Sequence, residues 1–188
     1  MKNPKISIIT PSYNQSNYLE ETILSVINQN YKNIEYIIID GQSSDDSVNI
    51  IKKYQNNLTY WISEKDKGQS DAIHKGFQKA TGDIICWLNS DDFFVQGALK
   101  NVANHFEKNP KVDILIGDGM YADKKGNITR YYRYIKPLNF LSKHGVLAFS
   151  QQSLFFKREF YFKLGGINTN YHYCMDTEFV YRSIQQKG

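Results

Sequence analysis

Four short apolar runs, each released into a polar turn, constrain the fold of this chain more than any other feature. They cover residues 5–10, 35–40, 58–63 and 83–88 and are dominated by isoleucine. Runs this short and this apolar predict strands buried on both faces. Between them the apolar residues recur at helical spacing. Leu19, Ile23, Val26 and Ile27 form one such face, Val48, Ile51 and Tyr54 a second, and Ile73, Phe77 and Ala80 a third. Asn17 with Glu20 reads as a capping box for the first helix, and Ser44 or Asp45 as the cap of the next. Strand and helix in alternation predict an α/β fold around a largely parallel sheet, with helices on both faces. Right-handed crossovers bring the strand ends to one edge, which is where open sheets of this kind hold ligands.

A helix over 97–109 and a strand over 113–117 continue the alternation, and then the pattern changes. Asp123 to Asn127 reads as a hairpin turn, 153–157 as a strand, and Gly165-Gly166 as a break before a last helix over 176–186. The expected organisation is a single domain over residues 1–188, long enough to bury a substantial core. Its ligand-binding part would span 1–117 and a smaller mixed part 118–188, with a C-terminal portion of the protein lying beyond residue 188.

Composition narrows the function. Hydrophobic residues make up 41% and charged residues 22% of a chain of net charge +4, as in ordinary globular proteins. No Lys/Arg-rich block stands out, and no helix-turn-helix, zinc-finger or RNA-binding-sheet pattern occurs, so nucleic acid is not an expected partner. The first residues lead straight into a strand without a secretory leader, and no apolar run approaches the roughly 20 residues of a membrane helix. Cys86 and Cys174 are read as buried thiols of a cytoplasmic protein.

The chemistry-bearing residues collect at the predicted strand ends. Pro11-Ser12-Tyr13-Asn14 follows the first strand, and Asp40 to Asp45 the second. Ser63 to Gly68 follows the third, and Asn89-Ser90-Asp91-Asp92 the fourth. Such residues also suit helix caps and turns. Four such groups on one edge, however, describe a crevice lined with carboxylates, an aromatic face and glycines that admit a ligand. Adjacent carboxylates at Asp91-Asp92 offer hard oxygens to a divalent cation that also binds phosphate. Neither G-x-G-x-x-G after the first strand nor G-x-x-x-x-G-K-[ST] is present, which disfavours a dinucleotide fold or a P-loop.

In order and spacing, Ile8-Ile9-Thr10-Pro11-Ser12-Tyr13-Asn14, Asp40-Gly41 with Ser43 and Asp45, Lys67-Gly68 with Asp71-Ala72, Gly82-Asp83, and Leu88 to Asp92 resemble family 2 glycosyltransferases. Gly165-Gly166 and Asp176-Thr177-Glu178 extend the likeness over nearly the whole chain, closest to the subgroup of bacterial O-antigen and capsule clusters. The resemblance implies a GT-A fold and inverting transfer from a nucleotide sugar, a UDP sugar in most members, with Mg or Mn. It places Tyr13 on the base and Asp40 at the uracil N3–H. Pro11, Asn14, Gly68 and Asp71 fall in its donor-binding loops, Asp91 at the ribose and Asp92 on the metal. Asp176 becomes the general base, or otherwise the N-cap of the last helix, with Glu178 beside it orienting the site. The acceptor would be a saccharide, free or lipid-linked, met at the inner face of the membrane by peripheral association.

Three positions depart from the family pattern: Asn89 stands for a frequent Asp, His74 for Asn and Gln151 for His. They bear on sugar and acceptor choice. His144 and His172 could approach the site, Trp61 and Trp87 read as core, and the aromatic residues after Tyr131 as core or acceptor platform. Two other functions fit less well. A noncatalytic nucleotide-sugar-binding module would keep Tyr13, Asp40 and Asp92. A sugar nucleotidyltransferase would carry a Gly- and Arg/Lys-rich loop where Pro11 to Asn14 stands.

Overall fold

Successive residues of a strand face opposite sides, so a strand covered on both sides needs apolar residues throughout. β1 (Ile6–Ser12), β2 (Ile34–Asp40) and β4 (Ile84–Trp87) are buried along almost their whole length. A computed structural model describes residues 1–123, 126–134 and 149–186. Its main sheet has six strands in the order β3 (Tyr60–Ser63), β2, β1, β4, β8 (Leu154–Lys157), β5 (Ile114–Ile116). The first four run parallel, whereas β8 is antiparallel to both β4 and β5. The fold is the expected α/β one, mixed at the far edge because a late strand inserts between two earlier ones.

The two faces share the strands residue by residue. Ile9, Ile37, Ile39, Ile85 and Trp87 point to one side and pack with Phe77 of α3 (Gln69–Lys79), Tyr161 of α5 (Arg158–Lys163) and Phe179 of α6 (Met175–Gln185). Ile6, Ile8, Tyr36, Ile38, Ile84 and Cys86 point to the other. There they meet Leu19, Ile23 and Val26 of α1 (Leu19–Ile27), Ile51 of α2 (Ser47–Lys53) and Leu99, Val102 and Phe106 of α4 (Ala98–Lys108). α3 lies so close on β1 that a Cβ at Gly76 would fall 2.5 Å from the Ile9 side chain. A second sheet pairs only β6 (Gly119–Ala122) with β7 (Ile128–Tyr132). Its turn is closed by bonds between Asp123 and Asn127, with Gly126 left-handed as that turn requires; Lys124 and Lys125 lie outside the described residues.

Several local expectations change. α1 is preceded by Tyr18 with no side-chain cap, because Glu20 turns away to Lys53 (2.6 Å) and the Tyr54 hydroxyl (2.7 Å) on α2. Asp46 holds the cap position of α2, while the Asp45 carboxylate accepts the Ser47 N–H at 3.0 Å. Cys174, not Asp176, precedes α6, in a left-handed conformation that leaves it exposed rather than buried. Cys86 is buried as expected. Trp87 is core, whereas Trp61 is half-buried at its margin.

Candidate active site

From β1 the chain builds outward to β2 and β3 and then returns to place β4 on the other side. That reversal opens a crevice above the strand ends. β1 runs on through Pro11, which pairs with Ile39 of β2 beyond the last β4 partner, Trp87. A proline is tolerated there because its missing N–H faces no neighbouring strand. Four loops, after β1, β2, β3 and β4, enclose a cavity of about 540 Å³.

Pro11, Tyr13, Gly68 and Asp91 line it, as do Ser12, Gln15, Gly41, Lys65, Asp66, Gln69, Asn89 and Ser90. Tyr13 is 63% exposed at its mouth. The Ser12 hydroxyl is buried on the wall with no partner among the described residues. Gly68 precedes α3 at φ 111°, a backbone that disfavours any side chain. Asp66 folds back over Gly41, where an added Cβ would sit 2.7 Å from its carboxylate, and it accepts the Gly68 N–H at 2.8 Å. Sequence reasoning missed Asp66, although the break at Lys67-Gly68 was a signal that the loop turns there.

Other expected residues support the wall from behind. Asp40 is fully buried. Its carboxylate accepts from the Ser43 N–H (2.9 Å), the Ser43 hydroxyl (2.5 Å) and the Ser63 hydroxyl (2.6 Å). Asn14 is left-handed; its side-chain oxygen accepts the Ser44 N–H (2.9 Å) and its own N–H donates to the Ser43 hydroxyl (2.8 Å), stitching two loops together. Asp71 sits in the first turn of α3, accepts the Lys67 N–H at 3.1 Å and pairs with Lys75 at 3.3 Å. Burial alone would raise its carboxyl, but these partners outweigh it and hold the pKa below the ordinary value.

The acidic pair is fixed by an amide chain. Trp87 C=O accepts from Gln151 Nε2 (3.0 Å), and a carbonyl can only accept, so Gln151 must turn its oxygen to Asn89 Nδ2 (3.1 Å). Asn89 then presents its own oxygen to Gln69 Nε2 (2.9 Å) and its amino group also to the Asp92 carboxylate (3.2 Å). Two departures from the family pattern, Asn89 and Gln151, thus form one relay from the 3-10 turn before β8 to the start of α3. His74, the third, leaves Nδ1 buried without a partner among the described residues.

Burial first, and the neighbouring Asp91 second, push the Asp92 carboxyl up to about 6. Its main-chain oxygen is held by the Thr22 hydroxyl at 2.8 Å. No cationic side chain pairs with Asp91 or Asp92 among the described residues, nor do three or more candidate ligands of His, Cys, Asp or Glu gather anywhere among them. A half-buried carboxylate without a counter-charge among the described residues, beside an exposed second one, offers hard oxygens that fit a divalent cation. A larger cavity of about 810 Å³ opens on the other side of the pair, between α1, α4 and β6, and also reaches Asp91 and Asp92.

Asp176 lies in the first turn of α6, half-buried, its carboxylate accepting the Thr177 N–H at 2.7 Å. The loop before it docks beside the cavity of about 540 Å³: the Ser70 hydroxyl donates to Thr169 C=O at 3.2 Å, and the His172 ring lies against Gly68. Glu178 instead grips Arg182 through both oxygens at 2.8 Å, and Arg182 bonds the Leu164 and Gly166 carbonyls. It locks the Gly165-Gly166 turn to α6. His144 lies outside the described residues.

A mixed α/β sheet with a loop crevice and an acidic pair after β4 is the arrangement of a GT-A fold. Structural comparison agrees: the chain aligns with S. aureus TarS 1-349 in complex with UDP-GlcNAc at a TM-score of 0.76 and 19% identity, covering 95% of this chain and 52% of that one. A mannosyltransferase from Pyrobaculum calidifontis in complex with GDP-Man and Mn2+ aligns at 0.71 and 20% identity, over 94% and 50%. The chain belongs to glycosyl transferase family 2, whose family model matches residues 7–182. An uncharacterized glycosyltransferase of Haemophilus influenzae is 35% identical over 145 residues, 76% of this chain and 58% of its own length. The GalNAc(5)-diNAcBac-PP-undecaprenol beta-1,3-glucosyltransferase of Campylobacter jejuni is 29% identical over 133 residues, 69% and 42%. The chain therefore spans roughly half the length of the proteins it matches here.

Proposed function

We propose that the chain carries out inverting transfer of a sugar from a nucleoside diphosphate, a UDP sugar first among them, to a saccharide hydroxyl in building a bacterial surface polysaccharide such as O-antigen or capsule. The observation that carries this reading is a carboxylate pair with no cationic partner among the described residues, Asp91 lining both cavities and Asp92 the larger one. Tyr13 packs on the base, Asp91 approaches the ribose, and Asp92 would hold a Mg or Mn ion. The ion supplies Lewis-acid stabilisation of the leaving diphosphate. Asp176 takes the proton of the acceptor hydroxyl, whose oxygen bonds to the anomeric carbon from the face opposite the departing diphosphate. The bond to that diphosphate breaks with its electron pair staying on the phosphate oxygen. The Campylobacter relative is named for a lipid-linked saccharide, which supports a lipid-linked acceptor met at the cytoplasmic face of the membrane. No helix among the described residues is long and apolar enough to cross one.

Hydrolysis of a panel of nucleotide sugars, with Mn2+ and then with EDTA, tests the reading. Turnover of one donor that chelation removes supports it. Tight donor binding with neither hydrolysis nor transfer would leave a noncatalytic binding module instead.

Base selection separates two carboxylates. Asp40 has three donors of its own, so the base edge is assigned instead to Asp66, half-buried on the cavity wall beside Gly41. Asp66→Asn is expected to reduce the preference for UDP over GDP about ten- to a hundredfold, the worth of a charge-assisted hydrogen bond. Asp40→Asn is expected to lower the melting temperature and leave that preference in place, because an amide cannot accept from all three serine donors. Calorimetry with both nucleotides reads the first effect and thermal unfolding the second. The reverse assignment would return the base contact to Asp40.

A further inference from the structure

The β6–β7 hairpin takes no part in the site chemistry, yet it is the least ordinary surface of the molecule. Among the described residues it pairs with no other strand, and two-stranded sheets are marginal in water unless something covers them. Ile128, Tyr131 and Tyr121 are 50%, 75% and 54% exposed, and Arg130 and Arg133 are exposed among them without a carboxylate partner in the described residues. Counted by segment, the charge of the chain is not scattered. Residues 119–149 hold six Lys and Arg against Asp123 alone, while the other 157 residues hold 17 basic and 18 acidic side chains. The net charge of +4 therefore resides entirely in this stretch.

We propose that the β6–β7 hairpin docks the protein on an anionic lipid surface, an inference that rests on the reading above of a transferase using a lipid-linked acceptor. Tyrosine and arginine interleaved on an exposed element have the chemistry of the membrane interface. The rings sit at headgroup depth, while long basic side chains bury their stems and keep their charge on lipid phosphates. Both faces of β7 are exposed, which suits insertion among headgroups better than a fit into a protein groove. The hairpin also forms part of the wall of the larger cavity, through Met120 and Tyr121. Docking it would turn that cavity, with Asp91 and Asp92 at its inner end, toward the bilayer.

Flotation of the 188-residue chain with vesicles tests this. One set is phosphatidylcholine alone and the other carries about 30 mol% phosphatidylglycerol, a fraction in the range that gives a strongly negative surface. Flotation is expected only with the anionic set and is expected to weaken as salt rises. Arg130→Ala with Arg133→Ala should reduce partitioning about twenty- to thirtyfold, each basic residue near the surface being worth about fivefold. Ile128→Ser with Tyr131→Ser should reduce it by a share that salt does not alter. Melting temperature and UDP affinity, measured on the same variants, should match the parent chain. No flotation with either set, equal flotation with both, or unchanged partitioning of both double variants would overturn the proposal. Failure of the parent chain to bind UDP would instead overturn the UDP-sugar reading above and is read separately by calorimetry.

Discussion

Asp176→Asn is expected to lower sugar transfer about a hundred- to ten-thousandfold, the usual worth of a general base, with UDP affinity nearly unchanged. The residue stands in the first turn of α6, on a chain segment held to the donor cavity by Ser70 and by His172 against Gly68. An asparagine there still accepts the Thr177 N–H that Asp176 accepts now. It loses only a charge near a helix N-terminus, about 0.3–1 kcal/mol, so the melting temperature should fall slightly. Glu178 is a poor substitute base, since both of its oxygens are engaged by Arg182. Glu178→Gln should therefore act on stability, by loosening the Gly165-Gly166 turn. The decisive measurement is the single-turnover transfer rate with a competent acceptor, beside the UDP dissociation constant. A wild-type rate would remove Asp176 from the chemistry and direct attention to His172.

The parts of this molecule legible in the sequence are those determined by neighbours along the chain. Isoleucine runs gave β1, β2 and β4 because burial on both faces leaves no other composition open to them. Pro11, Gly68 and the acidic pair fell at strand ends and do line the crevice or its rim. What stayed hidden depends on pairings between distant segments. Nothing local says that β8 inserts antiparallel between β4 and β5. Glu20 looked like half of a capping box, but Lys53 and Tyr54, more than thirty residues on, offered it stronger partners. Asp40 was legible as a residue of the strand-end loops, but not the approach of Ser63 from the next strand, whose hydroxyl donates to its carboxylate. The relay through Gln151, Asn89 and Gln69 joins residues separated by 62 and 20 positions. The polar identity of Asn89 and Gln151 was visible, but not the partners that give it meaning.

Asp92→Asn is expected to act in two opposite ways, and the contrast identifies its role. Burial, reinforced by Asp91, lifts the Asp92 carboxyl to about 6, whereas the unfolded chain titrates near the ordinary value of 3.8. Between these values the folded protein binds more protons than the unfolded one, so stability falls as pH rises through the window and stays reduced above it. A shift of this size corresponds to at most about 3 kcal/mol. Without metal, the asparagine variant should therefore melt higher than the parent chain at pH 7.5 and about the same at pH 3.5. With Mn2+ and UDP the order should reverse, because the parent gains the stabilisation of a bound cation and the variant does not. In the parent, metal-dependent UDP affinity should also fall as pH drops below about 6, since a proton then competes for the carboxylate. Thermal unfolding across pH, with calorimetry in Mn2+ and in EDTA, reads all three effects. If the parent binds UDP equally well with and without metal, Asp92 is a buried acid that the fold tolerates and the cation belongs elsewhere.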